Sequence, residues 1–226
     1  MKRLIAALML AATLFYAWDA SRHALANTAY FQARFILDAW QRNAENFSED
    51  SLKRATEAIE RSTAYLPENS HYQLTKANIA LWSFHQGAAS AEDLAELAAL
   101  YQHAIRSRPL WPESYADQAW YLSAVKQQPT EAWQSITQAM RYGPYHPDTI
   151  VTALNVTFTQ WHLLTAPQKA QAYQWLARGV QTSARQQLFK LVQHYQKQYV
   201  ACFYLQRQSQ FSAQLRHEIN QQLCQQ

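Results

Sequence analysis

Apolar residues recur along this chain at spacings of three and four, the period of a helix face, from near one end to the other. The clearest stretch is Leu97–Pro112, where Leu97, Tyr101 and Ala104 are followed five residues later by Pro109. They lie on one helix face, and a proline that cannot continue the helix closes it. The frame recurs upstream as Ala55, Ile59, Ser62 and Pro67, and downstream as Ala132, Ile136, Ala139 and Pro144. The prolines stand 42 and then 35 residues apart, at 67, 109 and 144.

Helix signals fill the intervals. Leu25, Ala29, Ala33, Ile36, Trp40 and Phe47 form an apolar stripe. Ser48 caps the next helix, with Glu49 and Asp50 in its first turn, where the helix dipole favours acids. A third helix is expected over Glu68–Gln86, with Gly87 suited to a left-handed end. Ser90–Asp93 reads as a capping box opening a helix to Ser107. Pro112 and Pro129 each suit the first turn of a helix, the second ending at Gly143-Pro144. Asp148 is expected to cap a helix to about Leu164, and Thr165–Gln168 to box the next. Ser183–Gln186 is expected to open a helix to about Leu205, and Ser212 a last one to Cys224. About ten helices with short links make antiparallel pairs. The period and the small–bulky–small–proline frame resemble the tetratricopeptide repeat, which implies an all-α, tetratricopeptide-like solenoid over residues 21–226. Three glycines in 226 residues agree, since a sheet protein would need more turn glycine. Eight Trp and a 13% aromatic content supply large rings to fill gaps between Ala-rich helices.

The N-terminal segment differs in kind. Lys2 and Arg3 precede Leu4–Trp18, a run without charge. As a helix it is about 22 Å long, against a hydrocarbon core of about 30 Å. Snorkelling cations at one end, with Tyr16 and Trp18 at the other, extend its reach. The small-residue site Ala24-Leu25-Ala26 lies well past the apolar run, and no Pro or Gly occurs before Pro67. Residues 1–20 are therefore expected to be an uncleaved membrane helix, with a cleaved signal segment as the alternative. Cations on the short side keep that side cytoplasmic. The expected location is the inner membrane, single-pass, with the rest of the chain in the periplasm.

The stretch Arg106-Ser-Arg108-Pro-Leu-Trp-Pro112, the later Gly143–Pro147 turn, the single N-terminal apolar segment and the two late cysteines resemble the VpsP-type family of exopolysaccharide-biosynthesis proteins. That resemblance covers roughly residues 95–205. It implies an inner-membrane accessory protein of a polysaccharide assembly or export system, with no catalytic residue.

Candidate chemistry is sparse. The eight histidines show no metal-binding spacing, and three dispersed glycines exclude a phosphate loop, so neither metal nor cofactor is expected. Glu113 and Asp117, four apart on one helix face, are the acids an enzyme of glycan metabolism would use. Glu113 also serves simply as a first-turn dipole partner. Residues 149–226 hold seven Lys or Arg against Glu218 alone, whereas residues 1–148 hold 13 cations and 15 anions. Arg106, Arg108 and Trp111 form one candidate binding surface, and Lys169, Arg178, Arg185 and Lys190 a basic one. The second suits an anionic glycan, lipid head groups or an acidic protein face. Nucleic acid is not an expected partner outside the cytoplasm. Cys202 and Cys224 are candidates for a disulfide in an oxidising compartment. A plain hairpin of the last two helices would instead set Cys224 beside residues in the low 190s. The expected function is a non-catalytic scaffold holding a membrane or periplasmic partner of a polysaccharide system. The alternatives are a glycan-active enzyme and a general envelope assembly factor or chaperone.

Amino-terminal sequencing of membrane-extracted protein tests the anchor. Retention of Leu4–Trp18 is expected, and a mature start at Asn27 would make the segment a cleaved signal.

Overall fold

A computed structural model describes residues 2–88, 94 and 96–225. Among these the chain is an all-α helical repeat that begins with one long helix. The helices are α1 (Lys2–Arg42), α2 (Glu49–Tyr65), α3 (Ser70–His85), α4 (Leu97–Ser107), α5 (Pro112–Ala124), α6 (Pro129–Tyr142), α7 (Pro147–Thr159), α8 (Ala166–Gly179), α9 (Arg185–His194), α10 (Gln198–Gln206) and α11 (Ala213–Ile219). The chain forms two compact units, one ending at Pro109 and the other starting at Leu110.

The first unit pairs α1 with α2 and α3 with α4. No Pro or Gly interrupts residues 2–42, so α1 runs unbroken for 41 residues, about 60 Å at 1.5 Å per residue. Its second half buries Ala26, Ala29, Ala33, Leu37 and Trp40. This stripe differs from the expected one at two positions. Ala26 and Leu37 turn inward, while Leu25 is 53% exposed and Ile36 lies at the edge. Alanines at the contact let the helices approach closely, and the bulkier neighbours are displaced to the flank. Trp40 fills the far end and donates from Nε1 to Ser51 Oγ at 3.1 Å. Ser51 is also half of a capping box with Ser48, so the start of α2 is fixed to the core by one hydroxyl.

The recurring frame lies on α2, α4 and α6, the second helix of each pair. Ala55, Ile59, Ser62, Tyr101, Ala104, Ala132, Ile136 and Ala139 are buried to 1% exposure or less. The proline then sets where each helix stops. Leu66, Arg108 and Gly143 each precede a proline, which disfavours α geometry for them. All three adopt similar non-helical backbones, with φ/ψ of −136/75, −143/76 and −128/58. Each donates its backbone N–H to the last small residue of its frame, Ser62, Ala104 or Ala139.

The second unit pairs α5 with α6 and α7 with α8, and α5 packs on α7. Its core gathers Ile136, Ile150, Leu154, Leu176, Leu188, Val192, Leu205 and Leu223, among others. A fourth copy of the frame sits on α8 as Ala172, Leu176 and Gly179, all buried. The place of its proline is taken by Ala184. Gly179 is required by packing: a Cβ there would lie 2.4 Å from Leu188 Cδ1 and 2.7 Å from Ile150 Cγ2. Gly143 is held likewise, since its Cβ would meet the Pro112 ring at 2.7 Å.

Several boundaries differ from expectation. Asp148 does not cap α7, because Pro147 already occupies the first helical position and His146 the cap. After Thr159 the chain leaves α geometry for a 3₁₀ turn at Trp161–Leu163. Ser183 is not a cap either: Thr182 Oγ1 accepts from Ala184 N, and α9 starts at Arg185 without a side-chain cap. The single helix expected over 183–205 breaks between α9 and α10, with Gln196 in the left-handed region at φ 55. The break leaves Tyr195 at the end of α9, where its hydroxyl donates to Asn155 Oδ1 at 2.7 Å. The Ser90–Asp93 capping box lies outside the described residues. Cys202 of α10 and Cys224 are joined by a disulfide with Cα atoms 5.7 Å apart. Two departures from a plain hairpin make this pairing possible. The last helix is short, and a wide turn over Asn220–Cys224 carries Cys224 back to α10.

Gly179→Ala and Ala104→Leu are each expected to cost about 1–3 kcal/mol by overpacking, measured as a lowered unfolding midpoint. Reduction of Cys202–Cys224, which closes a separation of 22 residues, should cost about 3 kcal/mol in the chain-entropy model, read from melts with and without reductant.

Candidate functional site

The described residues contain one helix long and apolar enough to cross a membrane, α1. Its most apolar 18-residue window has a mean hydropathy of 1.6 and buries nothing against the protein. Leu4, Leu8, Leu14, Phe15, Tyr16 and Trp18 are all more than 60% exposed. The same helix then packs its alanine face into the first unit. On its other flank Phe31 and Phe35, one turn apart, stay 64% and 71% exposed. With Thr28, Gln32 and Ile36 they form one wall of a groove of about 780 Å³, and Arg54, Glu57 and Arg61 of α2 form the other. Arg54 pairs with Asp50 at 3.1 Å, and Arg61 donates to Gln32 Oε1 at 3.2 Å, so both cations are held at the rim. The apolar stripe of the sequence points to the packed face. Phe31 and Phe35 fall outside it, and their own four-residue spacing was the available signal.

The Arg106–Pro112 stretch straddles the boundary between the two units. On the first side, Arg106 is exposed in the last turn of α4, and Arg108 Nη1 lies 2.9 Å from His71 Nε2. On the second side, Trp111 is half-buried and donates from Nε1 to Glu113 Oε2 at 3.1 Å. Glu113 Oε1 also faces His146 Nε2 at 3.5 Å. The carboxylate in the first turn of α5 thus holds the ring before that helix and the cap residue of α7. Asp117 lies one turn further along α5.

The basic residues of the last third occupy distinct settings. Lys169 and Lys197 both lie over the Trp161 ring, 5.5 and 5.2 Å from its centroid, where the ring face attracts cations. Arg185 is a clamp: Nε donates to Val180 O at 2.6 Å and Nη1 reaches Glu218 Oε2 at 2.5 Å. Lys190 is exposed on α9. Arg178 lines an open cleft of about 470 Å³, with Tyr145 and Tyr204 at its sides and Ala177 in its wall. Four carboxamides complete the lining: Gln174, Gln181, Gln208 and Gln210. Behind Tyr204 its ring neighbour Tyr173 is mostly buried, and desolvation pushes that hydroxyl up to about 12, so it stays neutral at physiological pH. The sequence pointed to Arg178 through charge alone. It gave no signal for the glutamines, which are brought together from two separate stretches, 174–181 and 208–210.

The two kinds of cation should separate by stability. Glu218→Gln is expected to lower stability by about 1 kcal/mol, because it breaks a half-buried charged hydrogen bond. Lys190→Gln should stay within about 0.5 kcal/mol of the parent in the same chemical melts.

No protein-family model matches this chain, and no curated protein matches it. Among solved structures, the fold is similar to that in the "crystal structure of PilW, widely conserved type IV pilus biogenesis factor". The TM-score is 0.51 at 15% sequence identity, covering 87% of this chain and 92% of that one. At that identity the likeness is one of fold, an all-α helical repeat.

Proposed function

We propose that this chain is a non-catalytic scaffold, tethered by α1 in the inner membrane, that holds a protein partner during envelope assembly. In this reading it supports synthesis or export of an extracellular polysaccharide from the periplasmic side. The observation that carries it is the continuity of α1. One unbroken helix leads from an apolar, wholly exposed segment into a packed repeat, with an aromatic groove opening beside it. The end face of a helical repeat is ordinarily covered by polar residues. Here Phe31 and Phe35 stand bare, at the place where a further helix would stack.

The occupant we assign is an amphipathic helix of a membrane partner. A helix rising from the same bilayer beside α1 would reach the groove without bending. Its apolar side would cover the two rings, and its polar side would meet Arg54, Glu57 and Arg61. The likeness in fold to PilW, a type IV pilus biogenesis factor, supports the assembly role. The resemblance of Arg106–Pro112 to VpsP-type proteins supports the polysaccharide setting.

A deletion strain complemented with variants tests the proposal. Loss of extracellular polysaccharide on deletion is expected, with recovery by the parent gene. Phe31→Asp with Phe35→Asp should fail to complement at unchanged abundance and melting temperature, since both rings are exposed. Unaltered polysaccharide without the gene would remove the role. Full complementation by the double variant would remove the groove from it.

A further inference from the structure

The cleft around Arg178 has a lining unlike the rest of the surface. The polar side chains of its wall are four carboxamides and one guanidinium, with no carboxylate, and its aromatic surface is two tyrosines. A carboxamide both donates and accepts, which is the pairing that neighbouring hydroxyl groups need. Part of each amide is already fixed. Gln181 Nε2 donates to Ala177 O at 2.9 Å, Gln208 Nε2 to Tyr204 O at 3.2 Å, and Gln210 Nε2 to Gln208 Oε1 at 2.9 Å. Gln174 Oε1 accepts from Gln171 at 3.1 Å. These bonds hold the amides in place and leave the Oε1 atoms of Gln181 and Gln210 and the Nε2 of Gln174 for a ligand. Among the described residues Arg178 has no ion-pair partner, although Arg185 nearby in sequence takes Glu218. Tyr145 is 64% exposed and presents a ring to the opening.

We propose that this cleft binds a short segment of an acidic glycan. A uronate carboxylate sits on Arg178, sugar hydroxyls pair with the carboxamides, and the apolar face of one ring lies on Tyr145. The volume of about 470 Å³ falls in the range of small-ligand sites. A lone cation does not suit a phosphate group, which is ordinarily held by several donors at a helix start or a group of cations. An acidic peptide would likewise call for more cations than one and would leave the amides unmatched. The assignment deepens the polysaccharide role proposed above and rests on it for its biological setting.

Calorimetric titration of the full chain in detergent at physiological salt tests it, with hexagalacturonate, maltohexaose and hexaglutamate as probes. Hexagalacturonate is expected to bind at least about tenfold more tightly than maltohexaose, the margin of one charge-assisted hydrogen bond. Arg178→Gln should erase that margin and leave the weaker neutral binding. Tyr145→Ala should weaken both sugars. Neither variant should shift the melting temperature appreciably, because Tyr145 is mostly exposed and the half-buried Arg178 has no ion-pair partner among the described residues. Absence of saccharide binding overturns the proposal, as does hexaglutamate binding as tightly as the uronate. Uronate binding unaffected by Arg178→Gln also overturns it, by placing the ligand elsewhere. The deletion strain separates this result from the scaffold role. Uronate binding lost with Arg178→Gln, beside normal polysaccharide in the deletion strain, keeps the cleft and removes the role. No saccharide binding, beside lost polysaccharide on deletion, removes the cleft alone.

Discussion

Close approach of paired helices at small residues is the constraint on which the rest of this structure depends. Ala55, Ala104, Ala139 and Gly179 each sit where a neighbouring helix leaves no room for a larger side chain. Interiors are packed near crystal density, so such positions transmit any added volume to the helices around them. The proline that follows in three of the four copies then fixes where the helix ends and in what direction the chain leaves it. Spacing and turn together produce the pairing, and the pairing produces the surfaces discussed above.

The N-terminal helix shows how one element carries two environments. Its early residues are apolar on every side, which suits a helix surrounded by lipid. From Ala26 onward the apolar side narrows to a strip of alanines, which suits a helix packed on one neighbour. The transition requires no hinge because nothing in the sequence breaks the helix. In the proposed scaffold role, a partner bound to the flank of α1 would be held at a fixed height above the membrane.

Charge in the C-terminal third is better described residue by residue than as a patch. Lys169 and Lys197 share an indole, Arg185 closes a turn through Val180 and Glu218, and Arg178 opens into an amide-lined cleft. Only the last combines a cation without an internal partner, hydrogen-bonding groups of both kinds and an exposed ring. Coulombic attraction at the other sites is screened or already satisfied.

By itself the sequence determined the helical class, the frame on α2, α4 and α6, the start of α5 at Pro112, the cap of α8 at Thr165, and the unbroken course of α1. These follow from local rules: helical periodicity, proline geometry and side-chain caps act within a few residues. What only the tertiary structure decided lies beyond that range. The one-residue shift of the α1 stripe reflects which side of it α2 can approach. The fourth frame on α8 lacks its proline and is recognisable through the crowding at Gly179. The break at Gln196 follows no local breaker, and it leaves Tyr195 at the end of α9, bonded to Asn155, forty residues upstream. The groove at Phe31 and the cleft at Arg178 are products of packing too. Each draws its walls from separate helices, and no rule confined to neighbouring residues brings Tyr145, Gln174 and Gln208 to one place.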